Sequence, residues 1–429
     1  MEHIATTDFL AFFSWPQRTL HARIAGHLLG GCSACLAEAR QVLLDQGVPL
    51  PPPSTRDLSL ILHDQAGLLQ EERAKAAARW ARIAELDEKK RLASVEKRRG
   101  VRNYGLAAYV LDEAEALAAR GKGEKATELV RLADAIGASL PTRLYGAGPL
   151  ADLRLRQHTL LATIKRRALD FVGALEALAK AEHFRDRGVD PAERARYFRD
   201  RASLLTDLGE FEEAAKSAGH AASIYAGMLD LPNRGKASGQ EALAVSLFEP
   251  QSALALAEAA IPLLVTEPKS LLLAALTKGY CLAKLGQTRE AAALLASQRE
   301  LIRQAATVEI DLWFKYIEAL ILKAKGQVDD ADVLLRLVAH GFREEGDILA
   351  MLIQHLERIR IKAETGRWKS AVNIAVCLTP ELASLGLRND LLGMWANLQD
   401  ALAQRHDVVN EIEDFFRRRW HAPSRPARR

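Results

Sequence analysis

One pattern recurs at a nearly fixed interval along most of this 429-residue chain, and it restricts the fold to a repeat architecture. A Gly or other turn residue is followed five positions later by Ala, inside helical periodicity. It reads LGEFEEA at 208–214, LGQTREA at 285–291, KGQVDDA at 325–331 and TGRWKSA at 365–371. Degenerate copies are RGKGEKA at 120–126, ALDFVGA at 168–174 and LFEPQSA at 247–253. The turn positions 121, 169, 209, 248, 286, 326 and 366 are separated by 48, 40, 39, 38, 40 and 40 residues. Each copy reads as a helical hairpin. Gly, lacking a Cβ, takes the left-handed conformation that ends the first helix. The Ala is small because the second helix closes on the first there. Ala202, Gly279 and Ala319, each seven residues before a turn Gly, provide the matching small position on the first helix.

Phe211 and Trp368 stand two residues after their turn Gly, which completes a Gly-x-aromatic turn. Tight-packing positions on helix A, this turn and Ala on helix B resemble the tetratricopeptide-repeat-like (TPR) proteins over roughly residues 100–405. The copies run near forty residues rather than thirty-four, as in the helical repeat domains of some bacterial transcription regulators. The resemblance implies an all-α, right-handed superhelical solenoid of about seven TPR-like hairpins, with a concave groove lined by the first helices. It implies a fold and says little about function. Composition agrees: 49% hydrophobic and 27% charged residues supply a core, while few Gly, Pro and aromatic residues in an Ala/Leu/Glu/Arg-rich background favour helix over sheet.

The N-terminal part reads differently. Four of the fifteen prolines fall between 49 and 53, marking 46–54 as a linker between a small helical module at 1–45 and a charged helical stretch at 55–100. That stretch is expected to be an exposed connector, because a charge run on a helix is usually a solvated face. The solenoid then spans 101–405, and 406–429 forms a cap helix and basic tail. Within the first module His27, Cys32 and Cys35 have metal-ligand spacing, since two thiolates at CxxC can chelate one Zn²⁺ from a tight turn and a helix-end imidazole adds a third ligand. The segment resembles the zinc-binding HxxxCxxC element of bacterial anti-sigma factors, although the His–Cys gap is four and the fourth ligand has no clear counterpart. Small packing residues, or a redox dithiol, are the other readings of the same two cysteines. Cys281 and Cys377 sit at apolar positions of repeat helices and read as buried structural thiols.

The formal charge of +4 is largely a property of the end of the chain, where Arg417, Arg418, Arg419, Arg425, Arg428 and Arg429 occur with no acid among them. They could grip phosphate or an acidic partner, but a solvated, frayed end is the preferred reading. Four cysteines are too few for a disulfide framework and point to a reducing, cytoplasmic setting. No apolar run reaches membrane-spanning length, and Glu2 and Asp8 precede the first apolar stretch, so no signal peptide is expected. Phosphate-loop, dinucleotide, metalloprotease, hydrolase-elbow and calcium-loop signatures are all missing, which argues against an enzyme.

Counting back from the turns places Arg156, Arg166, Arg196, Arg199, Tyr280, Trp313, Tyr316, Lys323 and Arg360 on the groove side. Most are cationic or aromatic, which suits a peptide or helix bearing acidic and apolar residues. Some are expected to pack between repeats or to pair with nearby acids such as Asp200 instead, with Trp313 and Tyr316 foremost among the core residues. The resulting expectation is a protein–protein interaction adaptor with a regulatory role. The alternatives are a zinc- or redox-responsive regulator of anti-sigma type and a nucleic-acid-associated protein using the basic tail.

Overall fold

The computed structural model describes residues 38–39, 41–42, 55–97, 99–384 and 389–421. The expected zinc-finger-like module and proline linker, with His27, Cys32 and Cys35, fall almost wholly outside them. Nineteen α-helices run between Thr55 and Arg419, with no strand among the described residues. Helices α1 (Thr55–Ala81) and α2 (Glu88–Lys97) precede the repeats. Hairpins follow as α3 (Tyr104–Ala119) with α4 (Gly123–Ala138), a short α5 (Thr142–Tyr145), α6 (Ala147–Arg167) with α7 (Phe171–Arg185), and α8 (Pro191–Asp207) with α9 (Phe211–Gly227). Then come α10 (Leu231–Ser246) with α11 (Pro250–Ala260), α12 (Pro268–Lys284) with α13 (Thr288–Ala305), and α14 (Val308–Ala324) with α15 (Val328–Glu344). The series closes with α16 (Ile348–Glu364) and α17 (Trp368–Ser384), then α18 (Asn389–Ala403) and α19 (Val409–Arg419). This is an all-α helical-repeat solenoid, and the seven turns read from the sequence are the turns of its first seven hairpins.

The turn chemistry is as the spacing requires. Gly121, Gly209, Gly286, Gly326 and Gly366 all have φ between 70° and 79°. At each, the Gly N–H and the next N–H bond back to carbonyls of the closing turn; Gly209 donates to Thr206 at 3.1 Å and Glu210 to Leu205 at 2.9 Å. At 169 a Leu adopts φ 60° and makes the same pair of bonds, so the position, not the residue, sets the conformation. The Ala five residues after each turn is fully buried in all seven copies, from Ala126 to Ala371. Ala202 and Ala319 are likewise inaccessible, and a Cβ on Gly279 would meet Leu294 of its partner helix at 3.6 Å and Ile317 of the next hairpin at 3.4 Å. Close approach of the two helices is thus achieved by small side chains on both.

By contact the chain divides into two compact units, Met1–Asp200 with Ser223–Asp230, and Arg201–Ala222 with Leu231–Arg429. In the first, α1 and α2 are not an exposed connector. Ala76, Ile83 and Val95 are buried, and Leu68, Leu69 and Trp80 pack on the core of α3 and α4. The spacing of Leu69, Ala76 and Trp80 puts them on one face of α1, Ile83 packs from the turn that follows, and most of the charges that suggest a solvated helix take the other face. Helix α1 crosses α3 at Gly105, where a Cβ would lie 2.3 Å from the carbonyl carbon of Glu72. The Glu72 carboxylate accepts from the Gly105 N–H at 3.2 Å and the Tyr145 hydroxyl at 2.9 Å, tying three helices together. In the second unit, successive hairpins share cores around Leu254 and Cys281, then Tyr316 and Phe342, then Leu356 and Trp395.

Candidate functional site

The nine groove candidates lie on first helices of the hairpins. Four belong to the first unit. Arg156 on α6 reaches back to Asp112 and Glu115 of α3 and lies 3.8 Å from Glu193 of α8. Arg196 on α8 binds Glu115 at 2.8 Å. Burial works against the Glu115 charge, but Arg196 and Arg156 outweigh it and hold the carboxyl below its usual range. Glu193, more deeply enclosed, is pushed up by burial in spite of the same arginines. Arg199 pairs with Asp200 of its own helix, and Asp200 accepts from Thr163 of α6. Arg166, near the end of α6, is half-buried. The result is a ribbon of alternating charge across α3, α6 and α8.

The other five belong to the second unit. Trp313 and Tyr316 are mainly core: the Trp313 ring packs tilted against Phe342 at 4.9 Å, and Tyr316 is fully buried beside Tyr280. Lys323 on α14 bridges Glu357 and Glu364 of α16, each at 3.0 Å. Arg360 on α16 binds Glu357 and reaches out of the hairpin stack to Glu413 at 2.8 Å and Asn410 at 2.9 Å.

Both of those last partners lie on α19, the helix expected from the sequence to be a terminal cap. Its Val409, Ile412 and Phe416 pack against Leu352, Leu356 and Ile359 of α16 and Trp395 of α18. Its polar edge meets the other first helices. Glu413 is held by Arg417 at 2.7 Å and by Arg360, with Lys284 of α12 nearby. Burial would raise this carboxyl, but the three cations together hold it down at about 2. The far end of α19 rests on the turn between α8 and α9. A Cβ on Gly209 would sit 2.3 Å from the Cα of Arg418. The Arg418 guanidinium lies over the Phe211 ring at 5.3 Å and binds Glu212 at 3.0 Å. Helix α19 therefore lies along the first-helix face of its unit, from α16 and α18 past α12 to that turn.

This corrects the reading of the tail. Arg417 and Arg418 are not part of a solvated, frayed end: they belong to α19 and neutralise Glu413, Asp414 and Glu212. Arg419 ends the helix, and Arg425, Arg428 and Arg429 lie outside the described residues. The signal for docking was present in the 3.6-residue spacing of Val409, Ile412 and Phe416, but the run of arginines beside it suggested solvent. Cys281 is buried, which pushes its thiol up to about 12, whereas Cys377 is exposed rather than buried. Its helix, α17, turns Ala375 and Leu378 inward and leaves 377 outside. Among the described residues no helix is long and apolar enough to cross a membrane.

No family model and no curated protein matches the chain. Among solved structures it is similar to a Rap protein complexed with Competence and Sporulation Factor, at 14% identity and TM-score 0.54, over 72% of this chain and 85% of that one. It also aligns with aspartyl phosphate phosphatase F from Bacillus subtilis, at 12% identity and TM-score 0.47, over 86% of this chain and 97% of the other. The first likeness is one of fold, and it fits the hairpin solenoid described above.

Proposed function

We propose that the chain is a non-enzymatic, regulatory protein-interaction adaptor whose first-helix faces form the groove that binds a peptide or helical partner. One observation carries this reading. The face of the second unit built from α16 and α18, with Lys284 of α12 and Tyr316 of α14 nearby, seats a helix, α19, by an apolar stripe flanked by charge-paired polar residues. A surface with that chemistry suits a helix in a groove. The fold it shares with a Rap protein complexed with Competence and Sporulation Factor is in keeping with peptide binding. In the first unit the ribbon of Arg156, Glu115 and Arg196 offers paired charges that a partner could exchange for its own. The tail arginines give less support to a nucleic-acid role, because Arg417 and Arg418 already face carboxylates.

The test is capture of the partner from the native host, with variants on opposite faces. Arg199→Ala and Lys323→Ala change the first-helix faces. Val333→Ser and Leu337→Ser change exposed apolar residues on the second helix α15. The groove reading expects recovery to fall with the first pair and hold with the second. Loss confined to the α15 variants overturns it.

A further inference from the structure

Helix α19 is held by buried charge as well as by its apolar stripe. Burying an ion pair gains little over burying apolar residues of the same size, because desolvation offsets most of the attraction. Here Arg360, Glu413 and Arg417 are all strongly buried at the centre of the contact. The face is also left incompletely satisfied. The Tyr316 hydroxyl and the Arg360 Nε, both buried, find no hydrogen-bond partner among the described residues. A buried donor without an acceptor is costly, so an occupant able to supply one gains over α19. Finally, α19 is joined to α18 through only residues 404–408, where Arg405 at φ 60° closes α18 with the same pair of backbone bonds as the hairpin turns.

We propose that α19 is a displaceable occupant of its own chain's partner face. Its place is taken by an amphipathic partner helix that carries a carboxylate where Glu413 stands and a further acceptor for Tyr316 and Arg360. The inference rests on the groove reading above and adds its regulation: the face is closed until an acidic helix competes for it. Tethering acts at roughly millimolar local concentration, so even a segment with a Kd near 100 µM suppresses a competitor about ten-fold.

Gly209 supplies a clean perturbation. Gly209→Ala places a methyl against the α19 backbone, whereas Gly286→Ala imposes the same left-handed strain with open space around it. The probe is a fluorescent synthetic peptide of residues 406–421, added to the full-length chain. Binding to Gly209→Ala should be at least ten-fold tighter than to wild type, with Gly286→Ala like wild type. Should Gly209→Ala fail to fold, as judged by circular dichroism, full-length Ile412→Ser with Phe416→Ser weakens the occupant alone and should show the same gain. A peptide carrying Glu413→Gln should bind at least ten-fold less well. Equal binding to wild type and both opened variants, or no binding to any, overturns the proposal. So does an equal gain in Gly286→Ala, and so does a Gln peptide that binds as well as the parent. No partner is present in this assay, so its failure is separate from a failed capture in the preceding experiment.

Discussion

Replacing Glu413 by Gln removes the charge at the centre of the α19 contact while keeping its shape. The magnitude follows from the carboxyl's titration. Its ordinary value is 4.5, and Arg417, Lys284 and Arg360, overcoming the opposing effect of burial, hold it at about 2. A depression of that size corresponds to about 3 kcal/mol of stability at neutral pH. This agrees with the roughly 3–5 kcal/mol typical of removing one partner from a buried ion pair. The sign gives a second, independent check. A group whose folded value is depressed contributes fully above its unfolded value and loses that contribution as pH falls through the folded one. The stabilisation by Glu413 should therefore be complete above about pH 5, about half gone by pH 3 and absent below about pH 2. Urea unfolding followed by tryptophan fluorescence is well suited to this, since Trp395 packs on Phe416 at 6.2 Å. Glu413→Gln should lie about 3 kcal/mol below wild type at pH 7, with the gap halved at pH 3. A gap that is the same at both pH values, or under about 0.5 kcal/mol at pH 7, would refute the assignment of Glu413 as the charged hub of the contact.

Three further outcomes follow from other parts of the chain. Leu169 is 68% exposed at φ 60°, so Leu169→Gly relieves backbone strain without losing burial and should raise stability by about 0.5–1 kcal/mol in thermal melts. Asp152, pushed up to about 6 chiefly by burial, still accepts from the Val189 and Asp190 N–H groups. Because its folded value lies above the ordinary 3.8, the native state is penalised as pH rises through that window; Asp152→Asn should be more stable than wild type by up to about 3 kcal/mol at pH 7.5, with no gain below about pH 3. The His27, Cys32 and Cys35 spacing leads us to propose one zinc per chain, measurable by metal analysis of purified protein; metal-free protein with both thiols titratable would remove the zinc-responsive alternative.

What the sequence revealed and what it hid divide along the range of the interactions. Turn position and the tight Ala five residues on are local requirements of a hairpin, so they are readable even where Leu169 stands in place of Gly. Helix identity therefore followed from the period alone. Apart from Asp200 beside Arg199, the partners of the groove arginines were not readable in the same way. Asp112 and Glu115 look like ordinary helix-surface acids until α3, α6 and α8 are placed side by side, and only then do they meet Arg156 and Arg196. The contact between Arg418 and Glu212 bridges 206 residues, and no periodicity announces it. Gly105 carries no sequence signal for a related reason: its role is not to turn the chain but to let another helix's backbone touch it.

The two units solve the same electrostatic problem differently. First helices that carry arginines on one face cannot leave those charges half-buried and unpaired, because desolvation without a partner costs more than the helix packing returns. In the first unit the answer is internal, with carboxylates from neighbouring first helices placed between the guanidiniums. In the second unit, Lys323 is answered internally by Glu357 and Glu364, but Arg360 is answered in part by Glu413 on a separate helix. A counter-charge fixed on the neighbouring repeat cannot leave without disturbing the stack. One carried on a terminal helix can, at the cost of the apolar contacts of Val409, Ile412 and Phe416. Burying side chains of this kind contributes about 1.5–3 kcal/mol each, an amount an incoming helix with a comparable stripe would restore. Exchange at the second face is then close to balanced, and the outcome falls to the one feature α19 lacks: an acceptor for Tyr316 and the Arg360 Nε.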